Sequence, residues 1–211
     1  MTGGGARVVV LTDRRMAASA GRPLGDVVAA ALDGGADAVL LREKDLPRSD
    51  RRRLAGELRG ATAARGAELW VAGDGALAAA VGADAVHLAA TDPWPDREPA
   101  ALVRWGRSCH TPAELVDARD RGADHATFSP VFATASKPGY GPPLGLDGLA
   151  AGCRAAPGLA VIALGGVEPD RAGACLAAGA AGVALMGAIM RADDPARVVR
   201  SVIDEFRSAP T

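Results

Sequence analysis

The chain has 211 residues, 49% of them apolar and 23% charged, the balance of a globular protein with a sizeable core. Its 24 basic and 25 acidic side chains leave a formal net charge of −1, so no overall field draws it to nucleic acid or to an anionic membrane. The Gly-rich start lacks a signal-peptide layout, no apolar run reaches the roughly 18 residues that cross a bilayer, and three widely spaced cysteines fit neither a disulfide framework nor a zinc cluster, which together predict a cytoplasmic protein.

In chain order, Arg7–Thr12 reads as a first strand that exits into Thr12-Asp13-Arg14-Arg15, not into the glycine fingerprint of a doubly wound dinucleotide fold. A repeat then organises the chain. Gly35-Ala36-Asp37-Ala38-Val39-Leu40-Leu41 recurs as Gly82-Ala83-Asp84-Ala85-Val86-His87-Leu88, as Gly122-Ala123-Asp124-His125-Ala126-Thr127-Phe128, and as Gly179-Ala180-Ala181-Gly182-Val183-Ala184-Leu185. Each copy places a helix-capping Gly ahead of a short apolar run that suits a strand buried on both faces. Glu68–Ala72, Trp105–Ser108 and Leu159–Leu164 supply the strands in between. Helix starts are marked by Thr111-Pro112-Ala113-Glu114 (a capping box with Pro at the first position), by Glu168-Pro169 and by Asp194-Pro195. The last helix shows Val198, Val199, Val202, Ile203 and Phe206 on one stripe, while Arg48, Arg51, Arg52 and Arg53 read as a solvated helix face. Eight strands alternating with helices at roughly 26 residues per unit predict an α/β single-domain (β/α)8 TIM barrel over 7–207, with tails at 1–6 and 208–211.

Function in such a barrel gathers where strands end and helices begin. Strand two exits at Arg42-Glu43-Lys44-Asp45, and its two cations at alternate positions share one side, suited to phosphate. Lys44 and Lys137 are the only lysines in a chain that otherwise uses Arg, and both fall in exit loops. Gly165-Gly166 and Met186-Gly187-Ala188 end strands seven and eight, the usual phosphate site of this fold. Between them the loop from Ser129 to Gly145 carries Thr134, Ser136, Lys137 and Tyr140 and is expected to close over a ligand. His110 stands at the strand-five exit beside the Thr111-capped helix, where a neutral ring could pass a proton. His87 is expected to pack inside the barrel, His125 to be structural, and Cys109 to point away from His110 because neighbours on a strand face opposite ways.

Five of these exits in order resemble the thiamine-phosphate synthase family and its close relatives, the TenI-like thiazole tautomerases: Leu41-Arg42-Glu43-Lys44-Asp45-Leu46, Gly82 to Leu88, Gly106-Arg107-Ser108-Cys109-His110, Thr134-Ala135-Ser136-Lys137 and Ala163-Leu164-Gly165-Gly166-Val167. The resemblance spans about residues 7 to 206. It implies small-molecule partners, a phosphorylated thiazole and, for a synthase, hydroxymethylpyrimidine diphosphate, with no nucleic acid or membrane; homo-oligomerisation stays open. It would set Arg42, Lys44 and Lys137 on the diphosphate and Ser108 near the pyrimidine. Thr134, Ser136, Gly165, Gly166, Gly187 and Ala188 would hold the thiazole phosphate. A synthase would also use magnesium, with Asp92 and, if displaced by one position, Asp74 as its carboxylates. Departures from the family pattern matter here: its Asn-Asp-Arg is Ala72-Gly73-Asp74, its Gly-Gln is Ala89-Ala90, and a common Ser is Gly187. These losses weight the expectation toward the metal-free tautomerase, an isomerase with His110 as proton carrier. The synthase, a transferase, is the alternative, and a non-catalytic regulator that binds a thiamine precursor is the reading from another class.

Overall fold

A computed structural model describes residues 7–94, 103–134 and 142–208. Eight parallel strands, β1 (Arg7–Leu11), β2 (Ala38–Leu41), β3 (Glu68–Ala72), β4 (Ala85–Leu88), β5 (Arg104–Cys109), β6 (His125–Phe128), β7 (Ala160–Leu164) and β8 (Gly182–Leu185), pair in sequence order. The ring closes where β8 pairs with β1, Val9 opposite Ala184. This is the (β/α)8 barrel that the repeat predicts.

Around it lie α1 (Arg14–Ser19), α2 (Leu24–Asp33), α3 (Arg48–Ala63), α4 (Gly75–Val81), α5 (Pro112–Asp120), α6 (Gly145–Ala155), α7 (Ala172–Ala177), α8 (Gly187–Met190) and α9 (Pro195–Ser208). Their ends follow the sequence marks. Thr111 accepts from the Glu114 N–H while the Glu114 carboxylate accepts from the Thr111 N–H, completing the capping box of α5. Glu168-Pro169 opens only a 3-10 turn, Pro169–Arg171, before α7 begins. The final helix reaches Ser208, one residue past the expected end of the barrel, and buries Val199 and Val202 of the expected stripe. Among the described residues no helix follows β4, and none is long and apolar enough to cross a membrane.

Strand parity divides the core into two layers. Val8, Val10, Val39, Leu41, Leu69, Val71, Phe128 and Cys109 face the helices, whereas Val9, Leu11, Leu40, Trp70, Ala72, Ile162 and Ala184 fill the barrel interior. The interior also holds two histidines. Trp70 and His125 pack ring to ring with centroids 4.0 Å apart and planes tilted by 30°, and Gly106 makes this possible, since a Cβ there would clash with His125 Nε2. The same parity, continued past the strand ends, selects which loop residues look down the barrel axis into the site.

Candidate active site

At the C-terminal ends of the strands the interior opens into a cavity of about 470 Å³. Its floor is Leu11, Leu40, Ala72, His87, Ser108, Thr127 and Leu164; its rim includes Arg42, Lys44, His110, Ser129, Thr134, Gly165, Gly166, Gly187, Ala188 and Arg191. Lys44, His110 and Gly166, far apart in the chain, therefore share one basin. Every expected site residue among the described ones lines it except the two aspartates. Ser136 and Lys137 lie outside the described residues, as does the whole stretch 135–141 of the loop expected to close.

The β2 exit sorts its charges by side. Glu43 is buried against Arg14, whose Nη1 donates to it at 2.8 Å and to Asp45 at 2.7 Å. That bond holds the Asp45 carboxyl down at about 2. Both acids are thus occupied by α1, and Arg42 and Lys44 are left to the cavity. Arg42 donates to a thioether, Met186 Sδ at 2.8 Å, while the Lys44 ammonium donates to Asp92 Oδ2 at 3.3 Å. Asp92 also accepts from the Ala89 N–H at 2.8 Å. Burial works to raise its pKa, but that bond and Lys44 outweigh it, and the pKa is lowered. Arg107 fixes this loop from outside, donating to the carbonyls of Ala90 and Asp92 and stacking over Trp94 at 4.5 Å.

Below the cations runs a buried polar chain. His125 Nε2 and His87 Nδ1 are 3.1 Å apart, and His87 Nε2 reaches Ser108 Oγ at 3.1 Å and Thr127 Oγ1 at 3.2 Å. Burial, helped by Lys44 and Arg42, drives the His87 pKa down to about 3, and burial likewise lowers that of His125. Both rings are neutral at physiological pH, and the pair orients the Ser108 hydroxyl on the floor. His87 was expected inside the barrel; it is both core and cavity floor.

His110 sits higher. Its Nδ1 lies 2.7 Å from the Ser129 carbonyl, which can only accept, so Nδ1 carries the proton of the neutral ring. Cys109 faces the helix layer, and burial pushes its thiol up to about 12, which removes it as a nucleophile. At the β7 exit Gly165 and Gly166 take φ of 94° and 63°, and a Cβ on Gly166 would lie 2.4 Å from the Ala133 carbonyl. The turn thereby packs the β6 loop against itself as it forms the cavity wall.

Two expectations are corrected. Asp74 does not reach the cavity: it caps α4, accepting from Leu77 N–H at 2.9 Å, and pairs with Arg51 at 3.3 Å. Arg51 in turn leaves the solvated face assigned to its run. It is buried, and its Nη2 donates to the Ala72 carbonyl at 2.6 Å, tying α3 to the end of β3. Gly73, between these residues, lies beside the site: a Cβ there would be 2.7 Å from Lys44 Nζ and 3.0 Å from Asp92 Oδ2. The described residues contain no group of three or more His, Cys, Asp or Glu side chains able to hold a metal. Asp92, already engaged by an ammonium, is a sparse protein set for magnesium, which would need the oxygens of a bound diphosphate to complete its coordination. Sequence reasoning missed Arg191, Glu168, Thr127 and Ser129. Arg191 had a faint signal, standing one helical turn after Gly187.

Fold and site define a (β/α)8 barrel with a cavity at the carboxyl ends of its strands whose rim carries Arg42, Lys44 and Arg191. Residues 8–189 match the family model described as thiamine monophosphate synthase. The thiamine-phosphate synthase of Roseiflexus sp. (strain RS-1) is 38% identical over 98% of this chain and 87% of its own length. The thiamine biosynthesis bifunctional protein ThiM/ThiE of Symbiobacterium thermophilum is 40% identical over 87% of this chain, which spans only 39% of that larger protein. Among solved structures, the thiamine phosphate pyrophosphorylase of Pyrococcus furiosus superposes with a TM-score of 0.86 at 28% identity, covering 99% of this chain and 98% of its own. The chain belongs to the thiamine monophosphate synthase family, and with it to thiamine biosynthesis. The synthase names carried by these relatives favour the alternative over the tautomerase to which the motif losses gave more weight.

Proposed function

We propose that the protein is a thiamine-phosphate synthase, joining hydroxymethylpyrimidine diphosphate to a thiazole phosphate with release of pyrophosphate. The observation that carries this reading is one cavity with cations on its walls and a hydrogen-bonding floor of Ser108 and His87. In the reaction the bond from the pyrimidine methylene to the diphosphate oxygen breaks, and its electron pair leaves with pyrophosphate. The thiazole nitrogen then bonds to the methylene carbon. Lys44 and Arg42 take up the charge that grows on the departing diphosphate, a role in which cations fixed beforehand lower the barrier. Ser108, aimed by His87, holds the pyrimidine ring. Thr134, Ser136, Gly165, Gly166, Gly187 and Ala188 hold the thiazole phosphate, and Lys137 acts with Lys44 and Arg42 on the diphosphate. The substrates imply a cytoplasmic setting.

The tautomerase is retained as a second reading because His110, the match to the proton carrier of those relatives, lines the cavity with its Nδ1 held by the Ser129 carbonyl. The deciding assay supplies both halves and follows thiamine phosphate, and in parallel follows aromatisation of the thiazole carboxylate phosphate tautomer alone. Formation of thiamine phosphate that survives His110→Asn to within a few-fold supports the synthase. Aromatisation abolished by that substitution, with no thiamine phosphate formed, supports the tautomerase. Tight binding without either turnover would make the protein a regulator.

A further inference from the structure

We propose that Arg191 is the side chain that selects for the phosphate of the thiazole substrate, and that Gly187 is glycine to make room for it. This deepens the synthase reading and rests on its assignment of that phosphate to the β7 and β8 exits. Arg191 follows α8 and lines the cavity. Its guanidinium lies against Gly187: a Cβ there would be 2.5 Å from Nη2, 2.8 Å from Nη1 and 2.9 Å from Cζ. Any side chain at position 187 would push the planar group out of this place.

The guanidinium is held but not neutralised. Nη1 donates to the Met16 thioether at 3.0 Å, a weak and uncharged acceptor, and no carboxylate among the described residues lies within ion-pair distance. The backbone just beyond is fixed, because Arg22 Nη1 donates to the carbonyls of Ala192 and Asp193 at 2.8 and 2.7 Å. A positioned guanidinium with most of its five donors available matches a phosphate dianion, which it can grip with two parallel bonds. Need for it is local. Glu168 lines the same cavity, and among the described residues it has no ion-pair partner, so a phosphate entering at Gly165-Gly166 meets one negative charge that Arg191 offsets. The other cationic group, Arg42 with Lys44, stands at the β2 exit, which gives the cavity separate poles for a diphosphate and a monophosphate.

The test uses Arg191→Met, which keeps the apolar stem, Arg191→Lys, and Gly187→Ala, which leaves the arginine in the chain but displaces its head. Each is assayed for both Michaelis constants, and thiazole phosphate binding is measured by calorimetry without the second substrate. Arg191→Met is expected to raise the KM for thiazole phosphate and weaken its binding by about 10-fold or more, the worth of charge-assisted bonds, with the KM for the diphosphate within about two-fold. Preference for the phosphorylated over the unphosphorylated thiazole falls by the same factor, Gly187→Ala shifts the same constants in the same direction, and Arg191→Lys recovers part of the loss. Equal changes in both Michaelis constants, or none, would overturn the role of Arg191. If the wild-type protein makes no thiamine phosphate yet binds thiazole phosphate through Arg191, the synthase reading fails and this one stands. If it makes thiamine phosphate and Arg191→Met changes nothing, only this one fails.

Discussion

The buried histidine pair sets how the fold responds to acid. An unfolded imidazole titrates near 6.5, while burial holds that of His87 at about 3 in the folded barrel. The folded-state value is depressed, so the stabilisation is complete above about pH 6.5 and is lost as pH falls, because only the unfolded chain takes up the proton. At about 1.36 kcal/mol per pH unit, His87 alone costs about 2 kcal/mol between pH 6.5 and 5, and about 5 kcal/mol by the time it titrates in place. His125, lowered by the same burial, adds to the loss. Against a total stability of about 5–15 kcal/mol this is a large fraction. Glu68, whose pKa burial would raise but its bonds to Arg7, Trp70 and Arg104 bring down to about 2, loses its contribution only as pH falls through the unfolded carboxylate value. Asp37, raised by burial, opposes the loss by taking up its proton first in the fold, so the rings dominate the window from pH 6.5 to 5. Urea unfolding followed by tryptophan fluorescence at pH 7.5, 6.5, 5.5 and 5.0 measures the slope. In His125→Gln, whose amide reaches the same place without titrating, the slope should fall but not vanish. A flat profile, or a His87 resonance titrating near pH 6.5 in the folded protein, would refute the reasoning.

Three further outcomes follow from the same geometry. Gly106→Ala forces a methyl into His125 and should lower stability by about 2 kcal/mol, read from chemical unfolding; an unchanged midpoint would mean the interior is looser than this clash implies. Gly73→Asp sets a second carboxylate beside Asp92 in place of the Lys44 ammonium, at a backbone cost of about 1–2 kcal/mol for its φ of +66°. Calorimetry should then find magnesium bound more tightly than by the parent protein, and no gain would remove Gly73 from the site. Lys44→Met should raise the KM for the diphosphate by about 10-fold or more while leaving that for the thiazole phosphate within about two-fold, checked by steady-state kinetics.

Much of this protein is legible in its sequence. Four Gly-Ala-(Asp/Ala) openings mark strands buried on both faces, and a chain with eight such crossings has few ways to hide them other than closing the sheet. Parity did more than mark strands. It separated Cys109 from His110 and set Arg42 and Lys44 together, because alternation along a strand is a covalent property that needs no partner. Contacts across the barrel were decided only by tertiary structure. Nothing local in Asp74 says that it spends its oxygens on an α4 N–H and on Arg51, nor in Arg51 that it turns inward from an arginine-rich helix to reach the Ala72 carbonyl. Likewise Gly73 and Gly187 look, in sequence, like lost functional groups. In space each vacated volume is filled by a cation from elsewhere, Lys44 from the β2 exit and Arg191 from beyond α8. Which side chain occupies a space depends on what the closed ring brings near it, and the sequence fixes only what is missing.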